Sequence, residues 1–411
     1  MSSIDNNVEA FADTQTACRS RKIVSVMLGK MKGASIELTE PDGQVFHYGD
    51  PHSDIHAVVQ VNDTRFYNRM LTGGSIGAAE AYVDGWWDTP DITAVVRTVA
   101  RNMGALDELE AKLGWLTSIR EKWLHWTRRN TLSGSKDNIA AHYDLGNDLY
   151  SRFLDKEMLY SSGIYNSSQD SLDTAQLNKM DRLCQQLDLS PADHLLEIGT
   201  GWGGMAIYAA KHYGCRVTTT TISNEQYQWA KQRVEEEGLT EKITLLTQDY
   251  RELTGQFDKL VSVEMIEAVG KSFLPGFVRK CESLLKPGGK MAIQAITIAD
   301  QRYEHYSRNV DFIQKHIFPG GFLPSISALQ KVLTDETKFV TRNIQDLGID
   351  YADTLKDWLK RFNQHEDDLK SIGYDDRFLR LWRYYFCYCE GGFREKTIST
   401  IQLTAELPQR Y

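Results

Sequence analysis

The chemistry-bearing part of the chain begins at Glu197-Ile198-Gly199-Thr200-Gly201-Trp202-Gly203-Gly204, a glycine-rich run directly behind the apolar segment His194–Ile198. Glycines in such a turn let backbone pass close to a ligand and aim the N–H groups of the next helix at it. The residues downstream narrow the choice of ligand. A dinucleotide site carries an acid about 20 residues on to grip a ribose. Here that region reads Thr218-Thr219-Thr220-Thr221, without a carboxylate. Glu197 stands just before the glycines instead, and Gln248-Asp249-Tyr250 offers a polar group and an aromatic face to an adenine. The pattern points to S-adenosylmethionine rather than NAD. A further acid, Glu267, falls at the C-terminal end of the fourth strand of this region, where open parallel sheets bind ligands.

These residues need a sheet to position them. His194–Ile198, Arg216–Ile222, Ile243–Gln248, Lys259–Met265 and Lys290–Ile298 read as strands. Helical segments Met205–Tyr213, Asn224–Glu237 and Phe277–Leu285 alternate with them, the last stopping at Pro287-Gly288-Gly289. That alternation predicts a parallel sheet covered by helices. Phe339–Asp346 and Thr397–Leu407 read as two late strands. A late strand slotted antiparallel into a doubly wound sheet gives an α/β class I methyltransferase fold, Rossmann-like with seven strands. Ahead of it, residues 1–20 read as a disordered tail and 21–105 as a small N-terminal α+β domain, with alternating segments Ile36–Leu38 and Ala57–Val61. Residues 106–136 read as a basic amphipathic helix and linker, broken at Ser133-Gly134-Ser135, and 137–411 as the catalytic domain.

The 411 residues are 41% hydrophobic and 25% charged, an ordinary globular composition. No apolar run approaches the roughly 18–20 residues that span a bilayer, and the polar start lacks a signal-peptide layout. A cytoplasmic protein is expected. The cysteines Cys18, Cys184, Cys215, Cys281, Cys387 and Cys389 form no Cys-x-x-Cys pair, so free thiols and no metal site are expected. A net charge of −9 argues against nucleic acid as a partner. It does not argue against an anionic membrane, because the basic residues cluster. Lys112, Arg120, Lys122, Arg128 and Arg129 surround Trp115, Leu116, Ile119, Trp123 and Trp126 at spacings of one helical face. Such a helix suits the headgroup boundary, peripherally on the inner face of the membrane.

Several motifs together resemble the cyclopropane-fatty-acyl-phospholipid synthase family. They include His142-Tyr143-Asp144-Leu145-Gly146-Asn147-Asp148, Tyr160-Ser161, Leu196–Gly204, Thr221-Ile222-Ser223 and Gln248-Asp249-Tyr250-Arg251. Ile317-Phe318-Pro319-Gly320-Gly321, Asp350-Tyr351 and Gly391-Gly392-Phe393-Arg394 continue the match, and Tyr82-Val83-Asp84-Gly85-Trp86-Trp87 resembles the family's N-terminal domain. The strings Glu264-Met265-Ile266-Glu267-Ala268-Val269-Gly270 and Asp300-Gln301-Arg302-Tyr303 resemble its plant-type branch. The resemblance implies an unsaturated phospholipid as substrate, S-adenosylmethionine as donor and a homodimer. It puts Tyr160, Ser161, Gly199, Gly201, Thr221, Gln226 and Tyr250 at the cofactor; Glu197 and Asp249, read above from their places in the chain, and Ile222 complete the expected cofactor set. It also implies a bound bicarbonate as base, held by Ser162, Glu267, Gln294, Ile296 and Tyr351. Two holders depart from the family's pattern: Ser162 replaces a cysteine and Gln294 a histidine. Glutamine donates a hydrogen bond but cannot relay a proton as imidazole does.

The chemistry makes sense of these residue types. An alkene attacking a sulfonium methyl leaves a carbocation, which needs a dry pocket and electron-rich faces such as Tyr160, Tyr303, Phe318 and Tyr351. Ring closure then needs a base. A carboxylate acting directly can bond to the cation, which favours a positioned bicarbonate, oriented by Glu267. His142 and Asp144 read as ordering a loop. Rival readings are a C-methyltransferase that stops at a methyl branch, a small-molecule N-methyltransferase with the same cofactor pocket, and a non-enzymatic lipid-binding module on a degenerate methyltransferase fold.

Overall fold

The computed structural model describes residues 19–104 and 146–409. The basic segment Lys112–Arg129 and the His142–Leu145 part of the first motif lie outside the described residues. The described chain forms two compact units.

The first unit holds a four-stranded sheet made of β1 (Ser35–Thr39), β2 (Val45–Gly49), β3 (His56–Val61) and β4 (Trp87–Asp88), in the order β2-β1-β3-β4. Ala57, Val59 and Val61 are buried while His56, Val58 and Gln60 are exposed, the period-two pattern of a sheet with one wet face. Helices Arg65–Val83 and Ile92–Arg101 pack with it, the second capped by Asp91, which accepts a hydrogen bond from Ala94 N at 2.9 Å.

Residues Glu366–Glu395 also belong to this unit, although the sequence reads them as part of the catalytic domain. The reason is physical. Helix Asp376–Arg394 carries buried Trp382, Tyr385, Phe386 and Phe393, more apolar surface than one stripe, and needs partners of its own. Gly391 lets helix Ile92–Arg101 come close, since a Cβ there would lie 2.6 Å from Val96. Glu395 then accepts from both Arg97 and Arg101 at 2.7 Å.

The second unit holds the seven-stranded sheet: β5 (His194–Ile198), β6 (Arg216–Thr220), β7 (Ile243–Leu246), β8 (Phe257–Val263), β9 (Leu285–Ile298), β10 (Val340–Asp346) and β11 (Ile398–Glu406). Their order is β10-β11-β9-β8-β5-β6-β7. The strands from β5 to β9 pair in parallel, and β11 lies antiparallel to both β9 and β10. This is the class I methyltransferase topology that the two late strands predicted. Successive residues serve opposite faces. Leu196, Leu260 and Ile293 join helices Leu274–Leu284 and Ile326–Glu336 in one core, while Leu195, Val261 and Ala292 join helix Leu172–Gln186 in the other. Strand order reverses around β5, which has β6 on one side and β8 on the other. Ligands bind beyond the carboxyl ends of strands at such a switch point.

Candidate active site

The glycine turn sits at that point, straight after β5. Gly199, Gly201 and Gly203 all have positive φ, at 103°, 52° and 91°. A side chain on Gly199 would press on Met265 at 3.3 Å, whereas one on Gly201 would meet no atom of the described residues within 4 Å. Glu197 is 2% exposed and accepts from Thr219 Oγ1 at 2.6 Å. Burial pushes its carboxyl up to about 8. Beyond β6, Thr221 Oγ1 donates to Gln226 Oε1 at 2.9 Å, and Ser223 caps helix Asn224–Glu236 by accepting from Gln226 N. Ile222 lies between these two groups in the chain. Tyr250 packs edge-on against Phe277 with ring centroids 5.3 Å apart. Asp249 turns back on its neighbour, taking Arg251 Nε at 2.8 Å and Nη2 at 2.7 Å.

A second group of residues converges at the ends of β8 and β9. Glu264 follows β8 with φ +48°, a left-handed backbone that side chains rarely adopt. Its Oε1 accepts from Ser162 N at 2.9 Å and from Gln294 Nε2 at 2.8 Å, and its Oε2 accepts from Tyr351 OH at 2.8 Å. Glu267, three residues on, accepts from Ile296 N at 2.5 Å, while its other oxygen is buried without a hydrogen-bond partner among the described residues. Burial, and then the charge of Glu264, push the Glu267 carboxyl up to about 8. Burial likewise raises Glu264, against the pull of its three donors. Both acids retain some solvent contact even though protein encloses them. That is the condition of groups lining a site rather than filling a core.

All five residues assigned by resemblance to a bicarbonate ion thus come together, but around Glu264 and Glu267. Ser162 N, the Gln294 amide and the Tyr351 hydroxyl are engaged by the Glu264 carboxylate. The residues present do not fit a separate ion on those donors. The cofactor set does fit S-adenosylmethionine: a turn with an open side at Gly201, polar side chains at the end of β6 and an aromatic face at Tyr250.

Sequence reading passed over two residues here. Glu264 was legible only as part of a family string. Lys179 sits on helix Leu172–Gln186, 1% exposed, and donates to Ser161 Oγ at 2.6 Å. Burial brings its ammonium down to about 8, against the attraction of Glu264 and Asp155. A lysine in step with the apolar positions Ala175, Met180 and Leu183 was the available signal. Gln294 is held from behind by a chain of amides, Gln186 Nε2 to Gln402 Oε1 at 3.0 Å and Gln402 Nε2 to Gln294 Oε1 at 2.9 Å.

The aromatic residues divide into two groups. Tyr160 lies 5.3 Å from the Trp358 ring and 6.2 Å from Phe318, and Tyr351 stands perpendicular to Trp358 at 6.0 Å. Tyr351 therefore joins this cluster to the carboxylates. Tyr303 packs against Phe322 at 5.9 Å, with the Lys271 ammonium over its ring.

The family described as mycolic acid cyclopropane synthetase matches residues 131–403. Tuberculostearic acid methyltransferase UfaA1 of Mycobacterium tuberculosis is 38% identical over 82% of this chain and 80% of its own length. Cyclopropane-fatty-acyl-phospholipid synthase of Escherichia coli is 36% identical over 84% of this chain and 87% of its own. Among solved structures, mycolic acid cyclopropane synthase CmaA1, complexed with SAH and CTAB, superposes with a TM-score of 0.62 at 28% identity, covering 66% of this chain and 98% of that one. With the fold, the glycine turn and these likenesses together, the chain belongs to the mycolic acid cyclopropane synthetase family and is an S-adenosylmethionine-dependent methyltransferase.

Proposed function

We propose that this enzyme transfers a methylene group from S-adenosylmethionine to a double bond of unsaturated phospholipid acyl chains, giving cyclopropane fatty acids. The observation that carries the reading is the junction at Tyr351. Its hydroxyl binds the Glu264 carboxylate while its ring belongs to the cluster of Tyr160, Phe318 and Trp358. A carbocation flanked by aromatic faces and followed by proton loss to a carboxylate needs that combination. S-adenosylmethionine supplies the electrophilic methyl group. Gly199 and Gly201 would admit it close to the backbone, with Thr221, Gln226 and Tyr250 along its length and Glu197 beneath the turn. Lys179 holds Ser161, and so the Tyr160–Ser162 loop between cofactor and carboxylates.

A second reading, a methyl-branched product, is favoured by the likeness to an enzyme named a tuberculostearic acid methyltransferase. Mass spectrometry of lipids from cells expressing the protein separates the two. Acyl chains heavier by one CH₂ establish transfer, and fragmentation distinguishes a ring from a branch. Unchanged lipids, with label passing to soluble amines instead, would favour the small-molecule N-methyltransferase.

The substrate lies in a membrane, and among the described residues no helix is long and apolar enough to cross one. Docking from the membrane's inner face is assigned to the basic, tryptophan-bearing stretch Lys112–Arg129, with a homodimer as the working assembly. Each basic residue near an anionic surface contributes about 1 kcal/mol. Binding to anionic vesicles should therefore weaken as salt rises, and Arg128→Glu with Arg129→Glu should lower activity on vesicles while sparing cofactor affinity. Salt-independent vesicle binding would move the contact elsewhere.

A further inference from the structure

We infer that Glu264 is this enzyme's own proton acceptor, its carboxylate occupying the seat that the family resemblance gives to bicarbonate. The inference rests on the methylene-transfer reading and adds to it the identity of the base.

The geometry carries it. Ser162 N, Gln294 Nε2 and Tyr351 OH are the donors that would hold an external anion, and each lies 2.8–2.9 Å from a Glu264 oxygen. Two of the three fall on Oε1, so Oε2, bound among the described residues by Tyr351 alone, keeps a lone pair for an incoming proton. The backbone at Glu264 has φ +48°, which costs a non-glycine residue about 1–2 kcal/mol. Surroundings must hold such a conformation, and here the Glu264 N–H donates to Gln294 O at 2.8 Å. A strand end turned left-handed points its carboxylate back at β9 instead of onward along β8.

The departure at Gln294 then has an explanation. A histidine opposite a fixed carboxylate would compete with it for the proton. Gln294 donates permanently and takes no proton, and the Gln186–Gln402 amide chain fixes which way it faces. Gln294 and Tyr351 are positioning residues for Glu264. Three donors also answer the hazard of a carboxylate bonding to the cation. They spread its charge and hold both oxygens in place, so a proton can be reached where a carbon cannot.

The step balances without a further reactant. The alkene electron pair forms a bond to the sulfonium methyl carbon as the carbon–sulfur bond breaks, and S-adenosylhomocysteine leaves with that pair. A Glu264 oxygen then takes a proton from the added methyl group. The freed C–H pair closes the ring by bonding to the cationic carbon, and the proton later passes to solvent.

The test compares bicarbonate dependence in the intact protein. In carbonate-depleted buffer, wild-type methyl transfer to lipid should change by less than about twofold when millimolar bicarbonate is added. Glu264→Gln should lose on the order of 10²-fold in turnover or more. Glu264→Gly, which suits the left-handed backbone and vacates the seat, should lose as much and recover about tenfold or more with bicarbonate. Carbon-13 NMR of labelled bicarbonate gives a readout separate from activity: its line should broaden with Glu264→Gly and not with wild type. A wild type that loses activity on depletion and regains it with bicarbonate overturns the inference, as does line broadening by wild type. If wild type transfers nothing to lipid under any condition, the lipid reading falls, and the NMR comparison still decides what occupies the seat.

Discussion

Glu267→Gln is expected to reduce turnover by on the order of 10²-fold or more while leaving S-adenosylmethionine affinity within about threefold. The amide keeps an oxygen for Ile296 N, so the turn Ile266–Ala268 should hold its shape. What disappears is the ionisable oxygen that, among the described residues, is buried without a hydrogen-bond partner. With its pKa raised to about 8 by burial and by the charge of Glu264, Glu267 holds its proton more tightly than an ordinary carboxyl. The variant should also change how stability depends on pH. A carboxyl with a folded pKa near 8 and an ordinary value of 4.5 contributes stability that is complete below about 4.5 and is lost as pH rises through about 8. Wild-type melting temperature should therefore fall across that window, and less steeply in Glu267→Gln. Some slope remains, because Glu197 is also raised to about 8. Thermal melts at several pH values, with single-turnover kinetics, check both halves. Full turnover with an unchanged melting profile would remove Glu267 from the chemistry.

Much of the region around the glycine turn was legible because local pattern determines it. The strand His194–Ile198 coincides with β5, and glycines behind a strand take positive φ for reasons local to the turn. The carboxylate half was less legible. Lys259–Met265 reads as one strand, yet β8 ends at Val263, and the next residue turns left-handed. That turn depends on β8 and β9 being in register, with Val263 opposite Gln294, a pairing between residues 31 positions apart. No window of sequence contains it. Lys179 was hidden for a similar reason, since its partners Ser161, Glu264 and Asp155 come from other elements. Helix Asp376–Arg394 groups with the first unit, although residues 137–411 read as one catalytic domain, because its neighbours are set by contacts with Ile92–Arg101, far earlier in the chain. Such contacts have no local signature.

Gly201→Val should weaken S-adenosylmethionine binding by on the order of 10²-fold or more, since affinity here depends on backbone approaching the ligand. The side chain would enter space that no atom of the described residues occupies within 4 Å, so none of them opposes it sterically. The same substitution also strains a residue at φ +52°, at about 1–2 kcal/mol. Strain and ligand clash must be told apart, and Gly238 provides the control. It too has positive φ, at 67°, with nothing within 4 Å of a built Cβ, but it follows helix Asn224–Glu236 at the end away from Ser223 and Gln226. Gly238→Val should lose comparable stability and keep its cofactor affinity, whereas Gly201→Val should lose both. Calorimetric titration with S-adenosylmethionine, paired with thermal melts, reads the two quantities separately. If both variants bind the cofactor equally well, the turn at Gly201 does not face the ligand, and the cofactor must enter the fold by another side.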